Sequence, residues 1–267
     1  MPQLSIITIN YNNLAGLQKT MQSVFSQTFA DYEYIIIDGG STDGCKEYIE
    51  PYADKISYWV SEKDKGIYNA MNKGIAKSEG EYLLFLNSGD YLLHENSLKT
   101  LFAKSFDEDI IYWDVLYNIS NEKIVYPDKL SFSFFLNGTL NHQSAIIKKE
   151  LFAKLGSYNE TSRIVADWEF FICAIFLHNQ SYRHLDIMVS QYDFADNGLS
   201  KTSTGLSQMA AERKKIISKY FSGFIDDYAE TEKYRRLYNE RLRTSLKVGR
   251  RFVSFIRSLR KPFFRLM

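Results

Sequence analysis

Three short apolar runs, each ending on a polar rim, organise the first third of the chain. Ile35-Ile36-Ile37 stops at Asp38-Gly39-Gly40-Ser41-Thr42-Asp43-Gly44, and Tyr82 to Leu86 stops at Asn87-Ser88-Gly89-Asp90. The same grammar, less complete, runs from Leu4 to Asn12. Continuous apolar runs of this length, bounded by turn residues, predict strands buried on both faces, and ligands of such sheets bind beyond the strand ends. The three runs therefore predict one shared site.

Between the runs the period changes. Leu17, Met21, Val24 and Phe25 recur at helical spacing within residues 14–27, and further helices are expected over 45–52 and 68–76, with a short strand at 56–60. Alternation of strands and helices implies a mainly parallel sheet with helices on both faces. Beyond residue 100 the pattern is less regular. Strands are expected at 110–117, 123–126 and 144–148, and a strongly apolar helix over 168–177, an α+β half. From Ser207 the chain reads as helices, first 208–220 and then 226–264, with Pro262 limiting regularity near the end. No internal repeat or low-complexity linker is present.

The chain has 267 residues, 45% of them hydrophobic, which allows a substantial core and one large domain with an appendage. Cys45 and Cys173 form no CxxC pair, so neither a disulfide framework nor a zinc ribbon is indicated, and a reducing compartment is the default. The formal charge of +1 hides an asymmetry: residues 241–267 carry nine Lys or Arg and no Asp or Glu, leaving 24 basic against 32 acidic residues before them. No uncharged apolar run reaches about 18 residues and no basic leader precedes the first strand, so neither secretion nor membrane spanning is expected.

The candidate chemistry sits at the rims. Asp90 follows a glycine at a strand end, where a carboxylate can hold a hard cation such as Mg²⁺ or Mn²⁺ together with water and phosphate; a plain turn is the alternative. Asp38 stands on its strand end, placed to accept hydrogen bonds from a nucleobase or ribose, whereas Asp43 reads as the cap of the helix near Cys45. Asp167 opens the apolar helix, either as its N-cap or as a general base kept ionised by its position. The four histidines show no HxxxH or HExxH spacing, and P-loop, GxGxxG and GxSxG motifs are absent.

Taken together, Ser5–Asn12, Ser26-Gln27-Thr28, Ile37–Gly44, Asp64-Lys65-Gly66, Asn72-Lys73-Gly74 and Leu86–Asp90 resemble the family 2 glycosyltransferases in order and spacing. The likeness is strong over residues 3–93, extends through about 200 in Asn141-His142-Gln143 and Ala166-Asp167-Trp168-Glu169, and is absent from the tail. It implies a GT-A fold: a nucleotide-sugar half over 1–100, an acceptor half over 101–205, and a helical extension over 206–267. It further implies inverting transfer of a hexosyl or N-acetylhexosaminyl group from a nucleotide-diphosphate donor, with UDP as the family default, to a saccharide or polyprenyl-linked acceptor in surface polysaccharide synthesis.

By the same resemblance Thr8, Asn10, Tyr11 and Asp38 line the base and ribose pocket, with Asn72 and Ser88 also on the donor side and Lys65 near the diphosphate. Asp90 binds a divalent metal, Mn or Mg, Asp167 is the catalytic base, and His142 and Trp168 face the acceptor. The family commonly has Asp-Asp where this chain has Asp38-Gly39, and a second carboxylate in the turn that here reads Asn87-Ser88-Gly89-Asp90. QxxRW, expected of processive members, is absent, which implies single addition.

The tail adds a second theme. Val248, Phe252, Phe255, Ile256, Leu259, Phe263 and Leu266 recur every three to four residues, with Lys247, Arg250, Arg251, Arg257, Arg260 and Lys261 largely between them. This predicts a basic amphipathic helix over 246–267 on an anionic membrane, each basic residue near the surface contributing about 1 kcal/mol. Packing on an acidic body or a partner subunit is the alternative. No base-reading motif accompanies the charge, so nucleic acid is not expected. The expected place is cytoplasmic, peripheral at the inner face of the cell membrane. Two other functions fit parts of the pattern: a sugar nucleotidyltransferase, opposed by the lack of a Gly-rich N-terminal loop, and a non-catalytic membrane-associated scaffold with a degenerate nucleotide pocket.

Overall fold

β1 (Leu4–Asn10), β2 (Tyr32–Asp38), β3 (Tyr58–Ser61) and β4 (Tyr82–Phe85) pair in parallel in the order β3-β2-β1-β4. They belong to a computed structural model that describes residues 1–117, 123–192 and 202–240. Every residue of β1 is buried, which is why the sequence there is continuously apolar instead of alternating. One face is covered by α1 (Leu14–Phe25), whose Leu17, Met21 and Val24 pack with Leu4, Ile6, Tyr34 and Ile36. α2 (Cys45–Ile49) adds Cys45 and Ile49 to the same cluster. α3 (Ile67–Lys77) lies close against β1, because a Cβ at Gly74 would come within 2.4 Å of Ile7 Cγ2. Gly74 is thus the price of close helix–sheet packing.

The sheet continues without a break. After β5 (Tyr91–Leu92), α4 (Ser97–Phe102), β6 (Ile110–Tyr117), β7 (Lys123–Ile124) and α5 (Phe132–Asn137), the strand β8 (Ala145–Lys148) runs antiparallel to both β4 and β6. α6 (Lys149–Leu155) and α7 (Ala166–Phe176) follow, and β9 (Tyr182–Tyr192) pairs parallel with β6 and antiparallel with β5. Among the described residues the result is a mixed, mainly parallel sheet of nine strands in the order β3-β2-β1-β4-β8-β6-β9-β5, with β7 on β6.

The expected strands β1, β2, β4, β6 and β8 are found, and the expected apolar helix starts two residues early as α7. β9 was not anticipated. Its burial follows no two-residue period, and β6 carries register shifts against it around Asp114, so its pattern resembles that of a loop. The short helices α4, α5 and α6 also went unforeseen.

The chain divides into two units, Met1–Glu212 and Arg213–Met267. The second begins within α8 (Ser203–Tyr220), and residues 222–240 are helical. The basic segment 246–267 lies outside the described residues. Among the described residues, no helix is long and apolar enough to cross a membrane.

Candidate active site

The C-terminal ends of β1, β2 and β4 meet in a hydrogen-bonded network. Asn10 and Asp38 are register partners, and Asn10 Nδ2 donates to Asp38 Oδ1 at 2.6 Å. Ser41 Oγ donates to the same oxygen at 2.5 Å, while the Ser41 N–H and Ser61 Oγ reach Oδ2 at 2.9 and 2.6 Å. Ser88 Oγ, from the turn after β4, donates to Asn10 Oδ1 at 2.5 Å. Burial pushes the Asp38 carboxyl up, but the bonds from Ser41, Ser61 and Asn10 outweigh it and hold the group below the usual carboxylate value. Asp38 is wholly buried, so it organises this rim from beneath and does not present a carboxylate to the surface.

Several donor-side expectations change in the same way. Thr8 is fully buried, its hydroxyl bonded to Tyr34 Oη at 3.0 Å and donating to the Leu86 carbonyl at 2.8 Å, so it belongs to the core. Asn72 is spent on pinning a loop: Nδ2 donates to the Tyr158 carbonyl and to Glu160, and Oδ1 accepts the Tyr158 N–H. Asp43 is not the N-cap residue of α2, which is Gly44, but its carboxylate is bonded by the backbone and thiol of Cys45, the first residue of that helix, and its Oδ2 accepts the Leu14 N–H at 2.9 Å, tying the 41–44 turn to α1. Tyr11 remains at the mouth, 66% exposed. Lys65 is exposed in the loop before α3, and its ammonium forms no ion pair among the described residues.

A second cluster surrounds Asp167. This residue is the second of α7, not its cap, which is Val165. Tyr68 Oη, from α3, donates to Asp167 Oδ1 at 2.8 Å, and His142 Nδ1 lies 3.0 Å from Oδ2. His142 Nε2 faces Asn87 Nδ2 at 2.9 Å. Both donors to Asp167 outweigh the effect of burial and hold its carboxyl below the usual value, so it is ionised at neutral pH. Burial lowers the His142 imidazole, but Asp167 and then Asp90 outweigh that and raise it. The carboxylate is 15% exposed and the imidazole 18%, enough for a substrate hydroxyl to approach. Trp168 is placed elsewhere. It is buried, with Nε1 donating to the Phe135 carbonyl at 2.9 Å, and joins α7 to α5 in place of facing an acceptor.

Sequence reasoning did not find Tyr68, Ser41, Ser61 or the Asn87–His142 contact. Asn87 and His142 stood within quoted motifs, but pairing across 55 residues leaves no local trace.

Asp90 is 4% exposed and follows Gly89, whose φ of 106° suits only glycine readily. In the same turn Asn87 Oδ1 is buried with no hydrogen-bond partner among the described residues. No group of three His, Cys, Asp or Glu able to hold a metal occurs among the described residues. A carboxylate and an unmatched amide oxygen are hard donors, and Mg²⁺ or Mn²⁺ takes one or two carboxylates with the rest from water and phosphate, so the residues of the turn fit such a cation.

With this geometry in view, likeness to known proteins is informative. The family described as "Glycosyl transferase family 2" matches residues 5–164, and the chain belongs to it. Its enzyme class is that of a glycosyltransferase. An uncharacterized glycosyltransferase of Mycobacterium tuberculosis is 34% identical over 180 residues, covering 65% of this chain and 69% of the relative. A PGL/p-HBAD biosynthesis glycosyltransferase of Mycobacterium bovis is 30% identical over 207 residues, covering 75% and 80%. Among solved structures, S. aureus TarS 1–349 in complex with UDP-GlcNAc has a TM-score of 0.61 at 19% identity, over 73% of this chain and 60% of that one. The mannosyltransferase PcManGT from Pyrobaculum calidifontis, in complex with GDP-Man and Mn²⁺, has a TM-score of 0.59 at 14% identity, over 80% and 64%. The fold is GT-A.

Proposed function

We propose that this chain is an inverting glycosyltransferase that moves one sugar from a nucleotide-diphosphate donor, a UDP-sugar first, to a hydroxyl of a glycan or lipid-linked acceptor. The observation that carries this reading is the hydrogen-bonded series Tyr68–Asp167–His142–Asn87, which ties an ionised, partly exposed carboxylate to the turn that bears Asp90. UDP-GlcNAc and GDP-Man in the neighbours support a nucleotide sugar as the donor class.

In this reading Asp167 accepts the proton of the acceptor hydroxyl as its oxygen attacks the anomeric carbon. The bond from that carbon to the diphosphate breaks, its electron pair leaves with the phosphate oxygen, and the anomeric centre inverts. Tyr68 and His142 keep Asp167 charged and aimed. Asp90 and Asn87 would hold a divalent cation, which supplies positive charge to the departing diphosphate. Lys65, exposed in the loop before α3, would add a positive charge for the diphosphate, and Asp38 keeps Asn10, Ser41 and Ser61 in one arrangement.

Thermal unfolding with UDP, GDP, dTDP and CMP, each with and without Mn²⁺, tests the donor assignment. One nucleoside diphosphate with Mn²⁺ should raise the midpoint, since ligand at 100 times its dissociation constant stabilises by about 2.7 kcal/mol. No shift with any of them at millimolar concentration would remove the donor reading.

The tail completes the proposal. Residues 246–267 attach the enzyme to the cytoplasmic face of an anionic membrane, where a polyprenyl-linked acceptor is found. The support is the basic and aromatic pattern of the sequence. Deleting 246–267 should abolish sedimentation with vesicles rich in anionic lipid and leave transfer to a soluble acceptor unchanged; unaltered sedimentation would exclude the tail as the anchor.

A further inference from the structure

Gly39 directly follows β2, yet it is not among the glycines with positive φ, so backbone conformation does not require a glycine there. Space does. A Cβ at residue 39 would come within 2.5 Å of Asp64 Oδ2, 3.2 Å of Asp64 Cγ and 3.2 Å of Tyr11 Cδ2. The carboxylate of Asp64 thus occupies the volume that a side chain at 39 would fill, on the rim where Asp38 is buried and spent on the protein.

The loop holds Asp64 by one oxygen. Oδ1 accepts the Gly66 N–H at 2.8 Å, whereas Oδ2 receives no hydrogen bond from the described residues. An acceptor oxygen therefore stands over Gly39 beside the exposed ring of Tyr11, an aromatic face on which a base can stack. That pairing is the outfit of a nucleobase reader.

We propose that Asp64 Oδ2 reads the donor's base by accepting the ring N–H of a keto base, with Tyr11 as its stacking platform. This rests on the nucleotide-sugar reading given above. Uracil, thymine and guanine each carry a ring N–H on their pairing edge. Cytosine presents a bare ring nitrogen there, and two acceptors repel. A ribose hydroxyl offers the same donor chemistry, so the test must separate the two.

Calorimetric binding of UDP, GDP, dTDP and CDP in Mn²⁺ compares the unmodified enzyme with Asp64→Ala and with the exchange Gly39→Asp/Asp64→Gly. A hydrogen bond to a charged group predicts about 10- to 100-fold weaker binding of the preferred keto-base diphosphate by Asp64→Ala, with CDP little changed. The exchange, which returns a carboxylate to the same volume from the neighbouring strand, should recover most of the loss. N3-methyl-UDP should bind the unmodified enzyme as weakly as UDP binds Asp64→Ala if uracil is the base, and 2′-deoxy-UDP should bind normally.

Equal loss for CDP and the keto bases, or a loss reproduced by 2′-deoxy-UDP alone, would overturn base reading by Asp64. If Asp64→Ala binds every diphosphate normally while Asp90→Ala still loses the metal-dependent part, this inference falls and the transferase reading stands. If the unmodified enzyme binds no nucleoside diphosphate, both fall.

Discussion

Asp167→Asn lowers transfer by about 10²- to 10⁴-fold at neutral pH and leaves donor binding within about twofold, the range expected when a general base is removed without disturbing the site. The substitution is close to isosteric, and an amide oxygen can still accept from Tyr68 or His142. What it cannot do is take the acceptor's proton. The effect should appear in kcat and not in donor KM. The pH profile supplies a second check. Tyr68 and His142 hold the Asp167 carboxyl below the ordinary value, so its basic form is present above that lowered pKa and is lost only as pH falls through it. The acid limb of kcat/KM, which reports the free enzyme, should therefore lie below the ordinary Asp value of about 3.9. Turnover retained in Asp167→Asn would take this residue out of the mechanism.

Asp90→Ala removes the carboxylate of the Asn87–Asp90 turn, and with it the metal-dependent part of nucleotide binding. Transfer should fall by about 10²- to 10³-fold, as when one stabiliser of developing charge is lost. Calorimetry with and without Mn²⁺ separates this from general damage: nucleotide binding without metal should persist, and its strengthening by Mn²⁺ should vanish. Strengthening by Mn²⁺ that survives in the variant would move the cation site away from this turn.

The strands that shape the rim around Asn10 and Asp38 were legible because they are buried on both faces. Seven consecutive buried residues in β1 leave an unbroken apolar run, and the end of such a run is where a ligand meets the sheet. β9 was illegible for the opposite reason. His184 and Asp186 interrupt it, and its exposed and buried positions do not alternate. At the site, residue type was easier to read than direction. Thr8, Asn72 and Trp168 lie in or beside motifs, but their polar atoms turn to Leu86, Tyr158 and Phe135. The partners of Asp167 are invisible along the chain because Tyr68 is 99 residues away and His142 is 25. Asp64 is hidden more deeply still: its place over Gly39 depends on how β3 delivers its following loop, and a glycine in a Gly-rich turn looks like a turn residue, not a vacated side-chain position.

The strand β8 has one further effect. It is hydrogen-bonded to β4 on one side and to β6 on the other, and the turn immediately before it carries His142. The strands on its two sides are therefore parts of one fabric, and separating them would require main-chain hydrogen bonds between β4 and β8 to break. On the transferase reading proposed above, substrates exchange through loops, and the gap between a nucleotide at the β1–β2 rim and Asp167 keeps a fixed width. A compound that joins a nucleotide mimic to an acceptor mimic would have one best tether length, and shortening or lengthening that tether should be punished sharply.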